Sequence, residues 1–190
     1  MMLGEFDHFI ACTFLCAACL SAASKPPIAR MELIGTDRVD EFAIIEGKGT
    51  ITKTIVQFDV PESTWTKVGI SFIPLETGSV TLMIGGPWLG DRPLLSDQRL
   101  YVCWDDLEVT GSVIRNAGFE AMNDDFLPYY WYRVGGKDAG AVNDVTYVRN
   151  GEWSACVWMG SRLAQKIPVT AGKQVIVTGW ALAPAFPGER

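Results

Sequence analysis

The sequence predicts an all-β protein, an antiparallel β-sandwich. Three observations carry this. Apolar residues alternate with polar ones at period two through most of the chain, turn-forming Gly, Asn and Pro recur about every ten residues, and almost nothing after the first two dozen residues has helical periodicity. With 190 residues, 48% of them hydrophobic and 20% charged, the composition is globular and excludes a disordered or collagen-like chain. A net charge of −6 without a Lys/Arg cluster lacks the electrostatic footprint of a nucleic-acid binder.

In chain order, residues 9–20 (FIACTFLCAACL) form an apolar run followed by Ser21-Ala22-Ala23-Ser24. A membrane-spanning helix needs ~20 apolar residues, so the run is too short to cross. It has the length of a signal-peptide core, with Ser21 and Ala23 at the −3 and −1 cleavage positions. Residues 1–23 therefore read as a signal peptide, and the protein as secreted, periplasmic or cell-surface. The acidic Glu5 and Asp7 and the lack of a base ahead of the run depart from that pattern. A buried N-terminal helix or a misassigned start is the alternative. Cleavage after Ala23 removes the single histidine, His8, and leaves two cysteines, Cys103 and Cys156. They form one disulfide or remain two buried apolar thiols.

Pro26-Pro27 marks an extended lead-in over residues 24–34, and residues 35–190 read as one sandwich domain. Thr52, Thr54, Val56, Phe58 and Val60 alternate as a half-buried strand, as do Val68, Ile70 and Phe72, ended by Pro74. Val80, Leu82 and Ile84 face inward on the next strand, which Gly85-Gly86-Pro87 breaks. Tyr101, Cys103, Asp105, Leu107 and Val109 are expected to share the inward face of a long strand closed by Gly111, with Asp106 and Glu108 outward. Residues 112–114 are short and extended, and residues 123–140 read as a loop. Strands follow over 145–149, 153–159, 163–169 and 174–182, separated by Asn150-Gly151 and Ala171-Gly172.

Several segments resemble galactose-binding-like jelly rolls of the carbohydrate-binding-module type. Asn116-Ala117-Gly118-Phe119-Glu120 is similar to their "N-G-x-F-E" opening, and Asn150-Gly151-Glu152-Trp153-Ser154 to a Gly-x-aromatic-Ser strand start. Gln165-Lys166-Ile167-Pro168-Val169 with Ala171-Gly172-Lys173 resembles their hairpin. The motifs of the family's closing half come earlier in this chain: Trp65-Thr66-Lys67-Val68, the strand from Gly78 to Ile84, and the "hydrophobic-D-D-V-x-V"-like stretch ending Trp104-Asp105-Asp106-Leu107-Glu108-Val109. The resemblance covers most of residues 50–183 in permuted order. It implies either one circularly permuted sandwich, with the strand ending at Val109 turning through Gly111 to pair directly with the segment from Ser112, or the tail of one module followed by the head of the next.

The resemblance also implies a structural calcium between Asp105 and Glu120, helped by backbone carbonyls. The bland alternative is a capped turn in which each carboxylate accepts backbone N–H bonds. Of the tryptophans, Trp65, Trp131, Trp153 and Trp180 read as core, and Trp104 and Trp158 lie on alternate faces of their strands. Trp88, in a loop after Gly86-Pro87, and Tyr129, Tyr130 and Tyr132, crowded with Asp124 and Asp125, offer flat rings beside carboxylates. Sugar C–H faces stack on such rings while polar groups bind the hydroxyls. The expected function is thus a non-catalytic module that binds a polysaccharide or glycan, acting alone or beside a glycoside-active enzyme. A structural or protein–protein domain of the cell envelope is the first alternative, and a carboxylate-dependent glycoside-active enzyme the second. No nucleophile elbow, zinc-protease helix or phosphate loop is present, and a mature chain without histidine excludes Ser-His-Asp and Cys-His chemistry.

Overall fold

The computed structural model describes residues 28–34, 39–86 and 101–184, so the leader and Trp88 lie outside the described residues. Every regular element among them is a strand. The strands are β1 (Ile28–Ile34), β2 (Val39–Glu46), β3 (Gly49–Thr52), β4 (Ile55–Asp59), β5 (Thr66–Pro74) and β6 (Gly78–Gly85), then β7 (Tyr101–Thr110), β8 (Tyr132–Gly135), β9 (Ala139–Val142), β10 (Ser154–Trp158), β11 (Ser161–Val169) and β12 (Val175–Leu182). Two six-stranded antiparallel sheets face each other, ordered β3-β4-β1-β6-β11-β8 (sheet A) and β2-β5-β12-β7-β10-β9 (sheet B). This is a β-sandwich, compatible with a jelly roll.

Period-two patterning accounts for the core. Met31, Phe58, Phe72, Leu82 and Leu163 project from the two inner faces and are fully buried. Trp104 crosses between the layers, its indole N–H donating to the Gly85 carbonyl at 3.2 Å. Burial of this kind contributes roughly 25 cal/mol per Å² of apolar surface.

Strands from the two halves of the sequence interleave. β11 pairs with β6 over eight residues, from Arg162↔Gly85 to Val169↔Gly78, and β12 lies between β5 and β7. Without β12 from the second half, β5 and β7 of sheet B would have no strand between them. After β7 the chain turns at Gly111, whose φ of +80° suits glycine, and crosses to sheet A. There Arg115 N donates to the Gln165 side chain at 2.7 Å and Gln165 donates back to the Arg115 carbonyl at 2.9 Å.

Four expectations need correcting. Along β7, Val102 and Trp104 face the core, while Tyr101, Cys103 and Asp105 face outward. The reason is a bulge: Asp105 pairs with Trp180 and Glu108 with Thr178, so two residues oppose Gly179, and Asp106 takes φ +46°. The extra residue returns Leu107 and Val109 to the core, with Leu107 filling the space over Gly179. Second, Trp131 is buried, but Trp65, Trp153 and Trp180 are half-buried surface residues. Third, residues 145–149 are not a strand, whereas the expected 123–140 loop holds β8 and the start of β9. Fourth, Ile28–Ile34, read as part of a lead-in outside the sandwich, is an inner strand of sheet A, flanked by β4 and β6. Among the described residues no helix is long and apolar enough to cross a membrane.

Candidate functional site

The outer face of sheet B carries a second, smaller apolar cluster. Cys103 on β7 stands directly opposite Cys156 on β10, and the two form a disulfide. Leu182, Trp65, Tyr101, Val142 and Tyr147 gather around it.

Two register positions along, on the same face, Tyr101 opposes Trp158, their rings 4.7 Å apart and tilted by 47°. Tyr147 stands edge-on to Tyr101 at 5.7 Å. These rings, Cys156, Asp138 and the small residues at 139–141 enclose a cleft of about 340 Å³. Volumes of this order hold a small ligand.

The cleft is built from fixed parts. Trp158 N donates to the Asp138 carbonyl at 2.9 Å. Tyr147 sits on a turn in which Asp144 Oδ1 accepts Thr146 N at 2.8 Å, and Ser154 Oγ donates to the Tyr147 carbonyl at 2.6 Å. That Thr146 bond holds the Asp144 carboxyl below its ordinary range. Burial, then the hydrogen bond with Tyr147, pushes the Tyr101 phenol well up, so it stays protonated and able to donate. The walls are apolar and the rim carries hydroxyls and one lining carboxylate, Asp138.

The nominated residues that the structure describes lie elsewhere, Trp88 being outside the described residues. Tyr132 on β8 stands opposite Ala164, next to core residue Leu163, which puts it on the outer face of sheet A. Tyr129 and Tyr130 are exposed, with the Arg115 guanidinium 5.1 Å from the Tyr130 ring centroid. Asp124 and Asp125 are exposed in the 123–127 loop, whose Phe126 carbonyl accepts Ala141 N at 2.7 Å along the edge of β9. None of these five lines the cleft. Tyr101, Tyr147 and Trp158 were missed as a group because only strand pairing joins positions so far apart; the one local signal was the outward position of Trp158.

Asp105 and Glu120 do converge, on the 149–153 turn. Asp105 is fully buried; its Oδ2 accepts Arg149 N at 3.0 Å and Asn150 N at 3.2 Å, and its Oδ1 accepts Asp106 N at 2.7 Å. Glu120 accepts Glu152 N at 3.1 Å and Trp153 N at 3.4 Å. Gly151, with φ +73°, has no room for a Cβ against the Glu120 carboxylate. The turn presents N–H groups to both acids, the complement of an anion. Among the described residues no three His, Cys, Asp or Glu are grouped to hold a metal. Both carboxylates accept backbone N–H bonds from the turn, and these bonds occupy oxygen lone pairs that a calcium shell of six to eight ligands would use. Millimolar calcium is accordingly expected to leave the Tm unchanged. A rise that Glu120→Gln abolishes would instead show the turn rearranging around a bound ion.

No family model, curated protein or solved structure matches this chain.

Proposed function

We propose that this protein is a non-catalytic glycan-binding module, exported and built on a galactose-binding-like sandwich whose halves are joined in permuted order. The observation that carries the reading is the cleft of Tyr101, Tyr147 and Trp158 on the outer face of sheet B. Its rings meet at angles, so they would hold a sugar on its face and its edge rather than lie flat against a crystalline surface. Among the described residues Asp138 is the one acid that lines the cleft, which supports binding rather than hydrolysis, because glycosidases use a pair of carboxylates. The disulfide supports an oxidising compartment. The pairing of β6 with β11 and of β7 with β10 supports one permuted sandwich over two module fragments.

The test is a glycan array followed by calorimetry on single variants. Trp158→Ala and Tyr147→Ala are each expected to lower affinity about thirtyfold, the equivalent of about 2 kcal/mol for a buried aromatic anchor, with the fold intact. Tyr130→Ala, outside the lining of the cleft, is expected to bind normally. The reverse pattern would move the site to the 129–132 loop.

A further inference from the structure

A second concavity, of about 620 Å³, surrounds the 149–153 turn and is bordered by Asn143, Val145, Arg149, Asn150, Glu152 and Trp153. It shares the 143–148 turn with the aromatic cleft: Val142 and Tyr147 face one cleft, Asn143, Val145 and Val148 the other. Val145, on that shared turn and lining the second concavity, is 88% exposed.

An exposed polar turn is ordinarily among the loosest parts of a fold. This one is held from below at four of its five backbone positions. Asp105 takes the N–H groups of Arg149 and Asn150, and Glu120 those of Glu152 and Trp153. From the side, the Arg149 guanidinium lies 3.8 Å from the Trp180 ring centroid and is ion-paired with Asp106. The Trp153 ring is in turn backed by Phe126, with ring centroids 6.1 Å apart. The result is a fixed floor that offers one aromatic surface, two amide side chains and two charges of opposite sign. It repeats the mixture of the first cleft with more polar groups.

We infer that the 149–153 turn forms a second subsite, so that the ligand is an oligosaccharide lying across the shared 143–148 turn with units in both clefts rather than a single terminal sugar. The inference rests on the glycan reading. Asp105 and Glu120 are positioning residues in it, acting through the turn they hold. Trp153 supplies the stacking surface, and Asn143 and Asn150 supply donors and acceptors for hydroxyls. Arg149 is already engaged by Asp106 and Trp180, and Glu152 lies close by in sequence, so the subsite suits a neutral sugar better than an acidic one.

The test uses the full chain, disulfide intact, titrated with α- and β-linked oligomers of glucose, xylose, mannose and galactose from monosaccharide to hexamer. Affinity is expected to rise at least about tenfold between the monosaccharide and the longer oligomers of the series that binds. Asn143→Ala and Trp153→Ala are expected to remove that gain and leave monosaccharide affinity unchanged. Asn143 is exposed, so its variant stands even if Trp153→Ala fails to fold. A monosaccharide bound as tightly as its hexamer, or a gain that survives in Asn143→Ala, overturns the second subsite while the first cleft stands. Failure of every sugar to bind overturns the glycan reading itself.

Discussion

Replacing both Cys103 and Cys156 with alanine is expected to destabilise the sandwich by about 4 kcal/mol, the loop-closure value for a bridge of this length. The two residues are 53 positions apart, so the bridge removes a large set of open conformations from the unfolded chain. It also lies beneath Tyr101 and beside Leu182, and the shorter side chains would leave a void there. For a domain of this size the loss corresponds to a fall in Tm of roughly 10 °C. Thermal unfolding of the wild type with and without a thiol reductant provides the check, and reduction should reproduce the double variant. A change below about 1 kcal/mol would mean that the unfolded chain is already restricted to the same degree. The fold itself should survive, because the core between the sheets does not include the bridge.

The second large effect belongs to Asp105. Its carboxylate is the acceptor for three backbone N–H groups at a position with no solvent exposure. Asp105→Ala leaves those donors without a partner, and each buried unsatisfied donor costs ~1–3 kcal/mol, so a loss of at least about 3 kcal/mol is expected at pH 5.

The effect should depend on pH in a defined direction. Burial pushes the Asp105 carboxyl up to about 6, against the lowering effect of its N–H bonds and with a small further rise from Asp106. The folded state therefore holds the proton more tightly than the unfolded chain, and the wild type loses stability as pH rises through that value. The gap between wild type and Asp105→Ala should shrink by up to about 3 kcal/mol between pH 4 and pH 7. Urea unfolding of both proteins across that range cancels the titrations they share. A gap that stays constant with pH would show that Asp105 keeps an ordinary carboxyl.

How far the sequence reveals this molecule can be read from particular residues. The strands around Val68, Val80, Ile167 and Val177 were legible because each sets apolar residues two apart on the face that enters the core. β2 was not, because Val39–Glu46 is a bulged, half-exposed edge strand with Asp40 and Glu41 in its first half. β8 and β9 are only four residues each and sit among Gly135, Gly136 and Gly140, which read as loop. The outward turn of Tyr101 and Cys103 was hidden by one extra residue at Asp106, since a single bulge reverses the assignment of everything before it. Asp105 and Glu120 were singled out from sequence as calcium ligands, and in the structure one turn supplies N–H groups to both. The aromatic cleft was out of reach of any local pattern. Tyr101, Tyr147 and Trp158 come from β7, a turn and β10, and meet only through the register that sets Tyr101 against Trp158.

The most direct test of the account is an NMR titration of the isotope-labelled chain with the tightest-binding oligosaccharide of the panel. The indole N–H of Trp158 and the ring signals of Tyr101 and Tyr147 should shift in a saturable way. The buried indole of Trp104, bonded to Gly85 inside the core, should stay still. Shifts confined to Tyr129, Tyr130 and Tyr132, or no shift with any sugar, would contradict the assignment of the outer face of sheet B as a glycan-binding surface.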